Sequence, residues 1–272
     1  MNQSENAALQ ISILSGFLRY PDIYTLPGLL TGFGRACHNR LMKTNLIQKT
    51  TEFALHIVEA YVHPGDTVID ATCGNGFDTL RLAEMLRVDA KAGDAADAKA
   101  GDPKMISGRL YAFDIQPEAV EATRELLRRE GYGAGLPGGA ASGQADGADH
   151  PGRITVTCLG HQQMLSYFEE LENMPEAAAI VFNLGYLPGG DKQITTTTET
   201  TLDAVRDSLA LLKVNGLLCV TMYDGHPEGA KEKRALLHFA EELDSKLWHV
   251  SYISMLNQRN APPEILLITR KR

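Results

Sequence analysis

The sequence predicts a doubly wound α/β fold, a mostly parallel, seven-stranded sheet closed by an antiparallel C-terminal hairpin. Three observations predict it. Val68-Ile69-Asp70 runs into the turn Ala71-Thr72-Cys73-Gly74-Asn75-Gly76 and then an amphipathic stretch, Thr79–Arg87, which is the order strand, tight turn, helix. Apolar strand-like runs then alternate with helical periodicity as far as residue 223, which implies parallel strands joined by right-handed crossovers. The last two strand-like runs are separated by a Gln/Asn/Pro-rich loop too short for a crossover helix, so they pair antiparallel.

The elements follow in order. From Asn45, read as an N-cap, Leu46, Phe53, Ala54, Ile57, Val58 and Tyr61 recur at helical spacing. Pro64-Gly65-Asp66 turns the chain into strand 67–71. Strand 109–114 precedes helix 117–130, with Pro117 in its first turn. Strand 153–158 leads to a short helix, 161–171, and strand 178–183 ends at Asn183. Helix 198–212, strand 216–223, helix 228–243, strand 247–254 and strand 265–269 complete the series. Asp89–Pro103 and Gly131–Gly152 are built of Ala, Asp, Lys, Gly and Pro with few apolar anchors. Neither stretch buries enough surface to offset its ordering entropy, and they predict insertions near 89–107 and 131–152. Residues 1–43 read as an N-terminal extension with weak periodicity, and 44–272 as the main domain.

Composition narrows the function classes. With 44% hydrophobic and 22% charged residues, the chain is an ordinary globular one. No apolar run approaches the roughly 20 residues of a membrane helix, and no basic region precedes Ile11–Phe17 as a secretory signal would need. A cytoplasmic location is expected. The four cysteines are scattered without Cys-x-x-Cys spacing or a nearby histidine cluster, so reduced thiols are expected and no metal site. A net charge of −8 argues against a broad basic face for nucleic acid but leaves room for a local basic path.

The chemistry-bearing residues cluster at the predicted C-terminal ends of strands. Gly74, Asn75 and Gly76 form a turn whose bare N–H groups and following helix N-terminus suit a nucleotide-like ligand. The dinucleotide fingerprint fails because Thr79 stands at its third glycine. Asp70 before a single Gly-x-Gly fits S-adenosyl-L-methionine (SAM) better than NAD, and a parallel sheet with an antiparallel end is the Rossmann-like class I methyltransferase architecture. Asp114 ends the second strand, where its carboxylate suits a ribose diol, and Gln116 reaches the same sugar or the adenine edge. Asp78 either caps its helix or meets the amino group of the cofactor. Gly160, His161 and Gln162 follow the third strand and flank the base, or cap the next helix.

After the fourth strand, Asn183-Leu184-Gly185-Tyr186-Leu187-Pro188-Gly189-Gly190-Asp191 occupies the place of the Asn/Asp-Pro-Pro-aromatic loop of amino-methylating enzymes. A nitrogen that attacks a sulfonium methyl must be desolvated and held in line. The Asn183 carboxamide can orient its N–H groups and Tyr186 can pack on a flat base. Asp191, Tyr223 and His226 are candidate bases for an alkylamine. Lys192 and the run Thr195–Thr198 read either as a polar loop with an N-cap near Thr198 or as a phosphate-binding surface. Lys231, Lys233, Arg234, Arg259 and the terminal Arg270-Lys271-Arg272 read as solvated charges that could also touch RNA.

Asp-Ala-Thr-x-Gly-Asn-Gly (70–76), Ala-Phe-Asp-Ile-Gln (112–116), Phe-Asn-Leu-Gly-Tyr-Leu-Pro-Gly-Gly-Asp-Lys (182–192), Tyr-x-Gly-His-Pro-Glu-Gly (223–229) and Asn-Gln-x-Asn-x-Pro-Pro (257–263) together resemble one family. It is the bacterial rRNA-methylase group, whose members resemble the transfer-RNA enzyme that methylates 5-aminomethyl-2-thiouridine at wobble position 34. The resemblance spans about residues 45–270 apart from the two insertions. It implies SAM-dependent N-methylation of that aminomethyl group, with the tRNA anticodon stem-loop as partner. It also matches Asn75, Asp114, Gln116 and His161 to cofactor-contacting positions, and the loop ending at Asp191 to the substrate side. Where the family usually has His after Gly-Asn-Gly, this chain has Phe77. A small-molecule amine methyltransferase, an rRNA methyltransferase and a non-catalytic SAM- or nucleotide-binding module are the alternatives. A homodimer is left open.

Overall fold

The computed structural model describes residues 49–88, 104–132, 153–185, 195–258 and 261–272. The N-terminal extension, most of both insertions, and the candidate site residues Tyr186 and Asp191 lie outside the described residues.

Seven strands form one sheet in the order β3-β2-β1-β4-β5-β7-β6. They are β1 (Thr67–Asp70), β2 (Arg109–Asp114), β3 (Arg153–Cys158), β4 (Ala177–Asn183), β5 (Leu212–Met222), β6 (Trp248–Ile253) and β7 (Glu264–Arg270). Neighbours among β1 to β5 pair parallel, while β7 runs antiparallel to both β5 and β6, as the short closing loop requires. Strand order reverses between β1 and β4, so the crevice of a doubly wound sheet opens there, at the C-terminal ends of the strands.

Side chains alternate across the sheet with period two and feed two cores. On one face Val68, Leu110, Ala112, Ile154, Val156, Ala179, Val181, Leu217 and Cys219 pack with α1 (Thr50–Glu59), α2 (Phe77–Met85) and α3 (Pro117–Arg129). On the other, Ile69, Tyr111, Phe113, Ile180, Phe182, Leu218, Val220 and Leu266 pack with α4 (Met164–Glu170), α5 (Thr198–Leu211) and α6 (Pro227–Glu241). Tyr111, Phe113, Tyr167 and Phe168 meet edge to face at centroid distances of 4.9–6.0 Å, which stiffens the wall beneath the loops after β2 and β3.

Several sequence expectations need correction. The first helix among the described residues begins at Thr50, with Lys49 at its N-cap and no side-chain bond there, so Asn45 is not its N-cap. Helix α2 starts at Phe77, two residues before the expected Thr79, because Gly76 in the left-handed region (φ 83°) turns the chain directly into it. Strand β5 starts at Leu212 rather than 216. Its register against β4 jumps from Leu212 opposite Ala177 to Leu217 opposite Ala179, with Asn215 at φ 62° and Gly216 close to the Ala177 carbonyl absorbing the bulge. At the margins of the two insertions, Ile106 is buried and bridges Arg87, and Tyr132 is buried three residues beyond α3.

Candidate active site

Everything at the site is built around the turn after β1. The Cys73 N–H donates to the Phe113 carbonyl and the Gly76 N–H to the Cys73 carbonyl, which curls the chain tightly. The Thr123 hydroxyl on α3 donates to the Gly74 carbonyl at 3.0 Å. Thr123 also explains why position 76 is glycine, since a Cβ there would lie 2.8 Å from the Thr123 Cα. Replacing Gly76 by alanine therefore combines a positive φ with a backbone clash. Gly76→Ala is expected to cost roughly 2–5 kcal/mol of stability, read as a lowered urea midpoint at unchanged slope.

Asp70 sits beneath this turn. It is almost fully buried, accepts the Thr79 hydroxyl at 2.6 Å and the Thr72 N–H at 3.1 Å, and does not reach the cavity wall. Gly76 is likewise behind the wall. Both shape the turn from below. Burial, with the Asp78 charge adding to it, pushes the Asp70 carboxyl from 3.8 up to about 7. The folded protein therefore binds more protons than the unfolded chain between those values, so stability falls as pH rises from about 4 to about 7. The loss is of order 4 kcal/mol, and Asp70→Asn is expected to flatten that part of a pH–stability curve measured by urea unfolding.

Above the turn lies a cavity of about 470 Å³. One end is made by Asp114, Ile115, Gln116, Gly160, His161 and Gln162, from the loops after β2 and β3. Asp114 accepts the Gly74 N–H at 3.0 Å and the Gln116 N–H at 2.9 Å, so one carboxylate ties two loops together and retains lone pairs for a diol. Burial raises its carboxyl, and those N–H bonds act in the opposite sense. His161 is lodged edge-on against Phe182, with ring centroids 5.8 Å apart. Burial depresses its imidazole to about 4, so the ring is neutral near pH 7. Its Nε2 is buried and has no hydrogen-bond partner among the described residues. A buried polar atom beside a cavity is satisfied when a ligand supplies the bond. Gln163 turns its side chain back to the Gly160 N–H at 3.1 Å and fixes the loop that carries His161.

The other end is walled by Asp78, Asn183, Leu184, Gly185, Tyr223 and His226, together with Thr195–Thr197 and Thr200. Asn183 ends β4. Its N–H donates to the Thr72 hydroxyl at 2.7 Å, and its Nδ2 donates to Asp78 Oδ2 at 3.2 Å. That second bond fixes which way the amide faces. Its Oδ1 is buried and, among the described residues, unpartnered. Asp78 is the second residue of α2; burial raises its carboxyl and the Asn183 bond opposes this. Burial and the Asp78 charge push the Tyr223 hydroxyl up to about 12 against a hydrogen bond with Asn183. Tyr223 is thus a neutral hydroxyl at physiological pH. His226 caps α6, its Nδ1 accepting the Gly229 N–H at 3.1 Å. A neutral His226 then carries its proton on Nε2 and works as a donor, which disfavours it as a base.

Comparison with known proteins follows this geometry. Residues 110–269 match the family model described as "Putative rRNA methylase". The tRNA (mnm(5)s(2)U34)-methyltransferase, chloroplastic, of Arabidopsis thaliana is 34% identical over 227 residues, which cover 82% of this chain and 70% of the relative. This chain belongs to the rRNA methylase family. It is a SAM-dependent methyltransferase of the class I fold, and the cavity offers such a cofactor the Asp114 carboxylate and the unpartnered His161 nitrogen; the N–H groups of Gly74 and Gly76 are already taken by Asp114 and the Cys73 carbonyl, so the turn is not bare as the sequence suggested. A protein from Clostridium thermocellum that bears the family's name superposes with a TM-score of 0.63 at 31% identity, over 82% of this chain and 98% of its own. A Streptococcus mutans protein titled as a methyltransferase and solved with SAH gives 0.61 at 28% identity, over 82% and 98%.

The methylase site also contains residues that sequence reasoning missed. Glu232 lies in the run Lys231-Glu232-Lys233-Arg234, which reads as a solvated face, yet it is 3% exposed. It accepts the Thr201 hydroxyl at 2.6 Å and the Thr196 hydroxyl at 3.1 Å. Thr196 in turn accepts the Gly185 N–H at 3.0 Å and donates its own N–H to the Gly185 carbonyl. Glu228 accepts the Thr198 hydroxyl at 3.0 Å. The signal was available: Glu232 shares an i, i+4 stripe with buried Leu236 and Ala240. Thr196, Thr198 and Thr201 therefore bond to carboxylates of α6, and the first two, which belong to the run read as a phosphate surface, have their hydroxyl protons committed there. Thr197 is the N-cap of α5.

Lys233 is also no solvated charge. It binds Asp224 at 2.9 Å and the Glu264 carboxylate, which fastens the loop after β5 to the start of β7. The terminal Arg270 and Lys271 donate to the carbonyls of Leu212 and Ser245. Because β7 is antiparallel, these two residues lie at the sheet edge opposite the cavity.

Proposed function

We propose that the protein methylates the aminomethyl nitrogen of 5-aminomethyl-2-thiouridine at wobble position 34 of tRNA, reading the anticodon stem-loop. Bound in the cavity, SAM supplies an electrophilic methyl group on a sulfonium centre. With it bound, a neutral amine nitrogen would take the methyl as the sulfur–carbon bond breaks, the proton shed by the nitrogen would pass to solvent, and S-adenosylhomocysteine would leave. The observation that carries the reading is Asn183. Its Nδ2 is committed to Asp78, so its buried, unpartnered Oδ1 is the atom available to accept an amine N–H and hold the lone pair in line. Tyr223 adds a neutral hydroxyl at the same end, and His226 stands beside it with its Nδ1 occupied by the Gly229 N–H. Asp78 is the described carboxylate at that end and attracts a cationic amine. Asp191 and Tyr186 are proposed to join them from the loop that Gly185 and Thr196 frame. Asp114, Gln116, Gly160, His161, Gln162, Gly74 and Asn75 are proposed to hold the cofactor. The name of the Arabidopsis relative supports the substrate.

A small amine is the second reading, favoured by one observation: among the described residues, no Lys or Arg lines the cavity. Salt separates the two, because an RNA substrate binds more weakly as ionic strength rises and a small neutral or zwitterionic amine does not. The direct test is nucleoside mass spectrometry of tRNA from a strain lacking the gene. Accumulated aminomethyl nucleoside, cleared by purified protein plus SAM, is expected; an unchanged nucleoside profile would sink the assignment.

A further inference from the structure

Phe77 is the first residue of α2, lines the cavity next to Asp78, and is 67% exposed. A phenyl ring offers no hydrogen bond, so it serves neither a ribose, a phosphate nor a carboxylate; what it offers is a flat apolar face. The nucleoside end of the cavity is already furnished by Asp114, Gln116 and His161, whereas Phe77 adjoins Asp78, the partner of Asn183. Single-stranded RNA is commonly held by splaying out a base and stacking it on such a ring.

We infer that Phe77 is the platform on which the pyrimidine ring of the target nucleoside stacks while Asn183 holds its aminomethyl arm. The inference rests on the RNA-methylating reading and assigns it a substrate-specificity residue. A platform of this kind contributes equally before and during methyl transfer, so its loss raises KM and leaves kcat alone.

Two measurements test it. With aminomethyl-bearing tRNA, Phe77→Ala is expected to raise KM about tenfold, within the range for one base–aromatic stack, with kcat and SAM affinity each within about twofold. Phe77→Trp is expected to keep KM near that of the unaltered protein. In parallel, the Phe77→Trp protein is titrated with an anticodon stem-loop carrying plain uridine at the wobble position, and its emission should be quenched saturably. The native Trp248 begins β6 at the opposite sheet edge and serves as the silent background. If tRNA is methylated but Phe77→Ala leaves KM unchanged, or lowers SAM affinity as much as it raises KM, the platform is overturned and the function stands. If no tRNA is methylated, the functional reading falls, and the titration alone decides the platform: saturable quenching sustains it and an unaltered spectrum refutes it.

Discussion

Asn183→Ala should lower kcat for methyl transfer by about a hundredfold or more while SAM affinity changes little, measured by single-turnover kinetics and calorimetry on the same preparation. The amide oxygen is unpartnered among the described residues while its partner nitrogen is bound to Asp78, which under the proposed reaction leaves the oxygen to orient the attacking nitrogen. Alanine leaves the backbone N–H of residue 183 in place, so the bond to Thr72 that joins β4 to the turn after β1 survives. A matching loss of SAM affinity would place Asn183 with the cofactor and not with the amine. An unaltered kcat would remove it from the reaction altogether.

Asp114→Ala should weaken SAM binding by at least about a hundredfold, read by calorimetry. The carboxylate accepts two backbone N–H groups, from Gly74 and Gln116, and bonds to a charged acceptor are worth roughly 1.5–3 kcal/mol each. Its removal therefore loosens both the glycine turn and the loop after β2 before any ribose contact is counted. Asp114→Asn separates these effects. The amide retains one acceptor oxygen, so it should keep part of the fold's order while binding SAM poorly. Affinity equal to that of the unaltered protein in both variants would remove Asp114 from the cofactor site.

Much of the site was legible because its determinants are local. Gly74 and Gly76 announce a turn, and Asp114 and Asn183 end β-branched or apolar runs, so each is placed by its own strand at the sheet edge where ligands bind. What local reading did not show is how the residues are spent. Asp70 precedes the turn like a ligand contact, yet Thr79 and Thr72 consume both its oxygens beneath it. His226 has the chemistry of a base, yet an N–H three residues on occupies its Nδ1. Glu232 and Lys233 sit in a charged run but find their partners 31, 36 and 9 residues away. Hydrophobic periodicity places elements; it carries no record of which distant hydroxyl or carboxylate a polar side chain meets. Boundaries failed for the same reason at β5, where the bulge at Asn215 is set by pairing with Ala177.

The bond between Gly185 and Thr196, seated on Glu232, works as a cuff on the chain. Whatever sequence is threaded between those two residues enters and leaves at a fixed place, and the strain of altering it is not passed to β4 or α5.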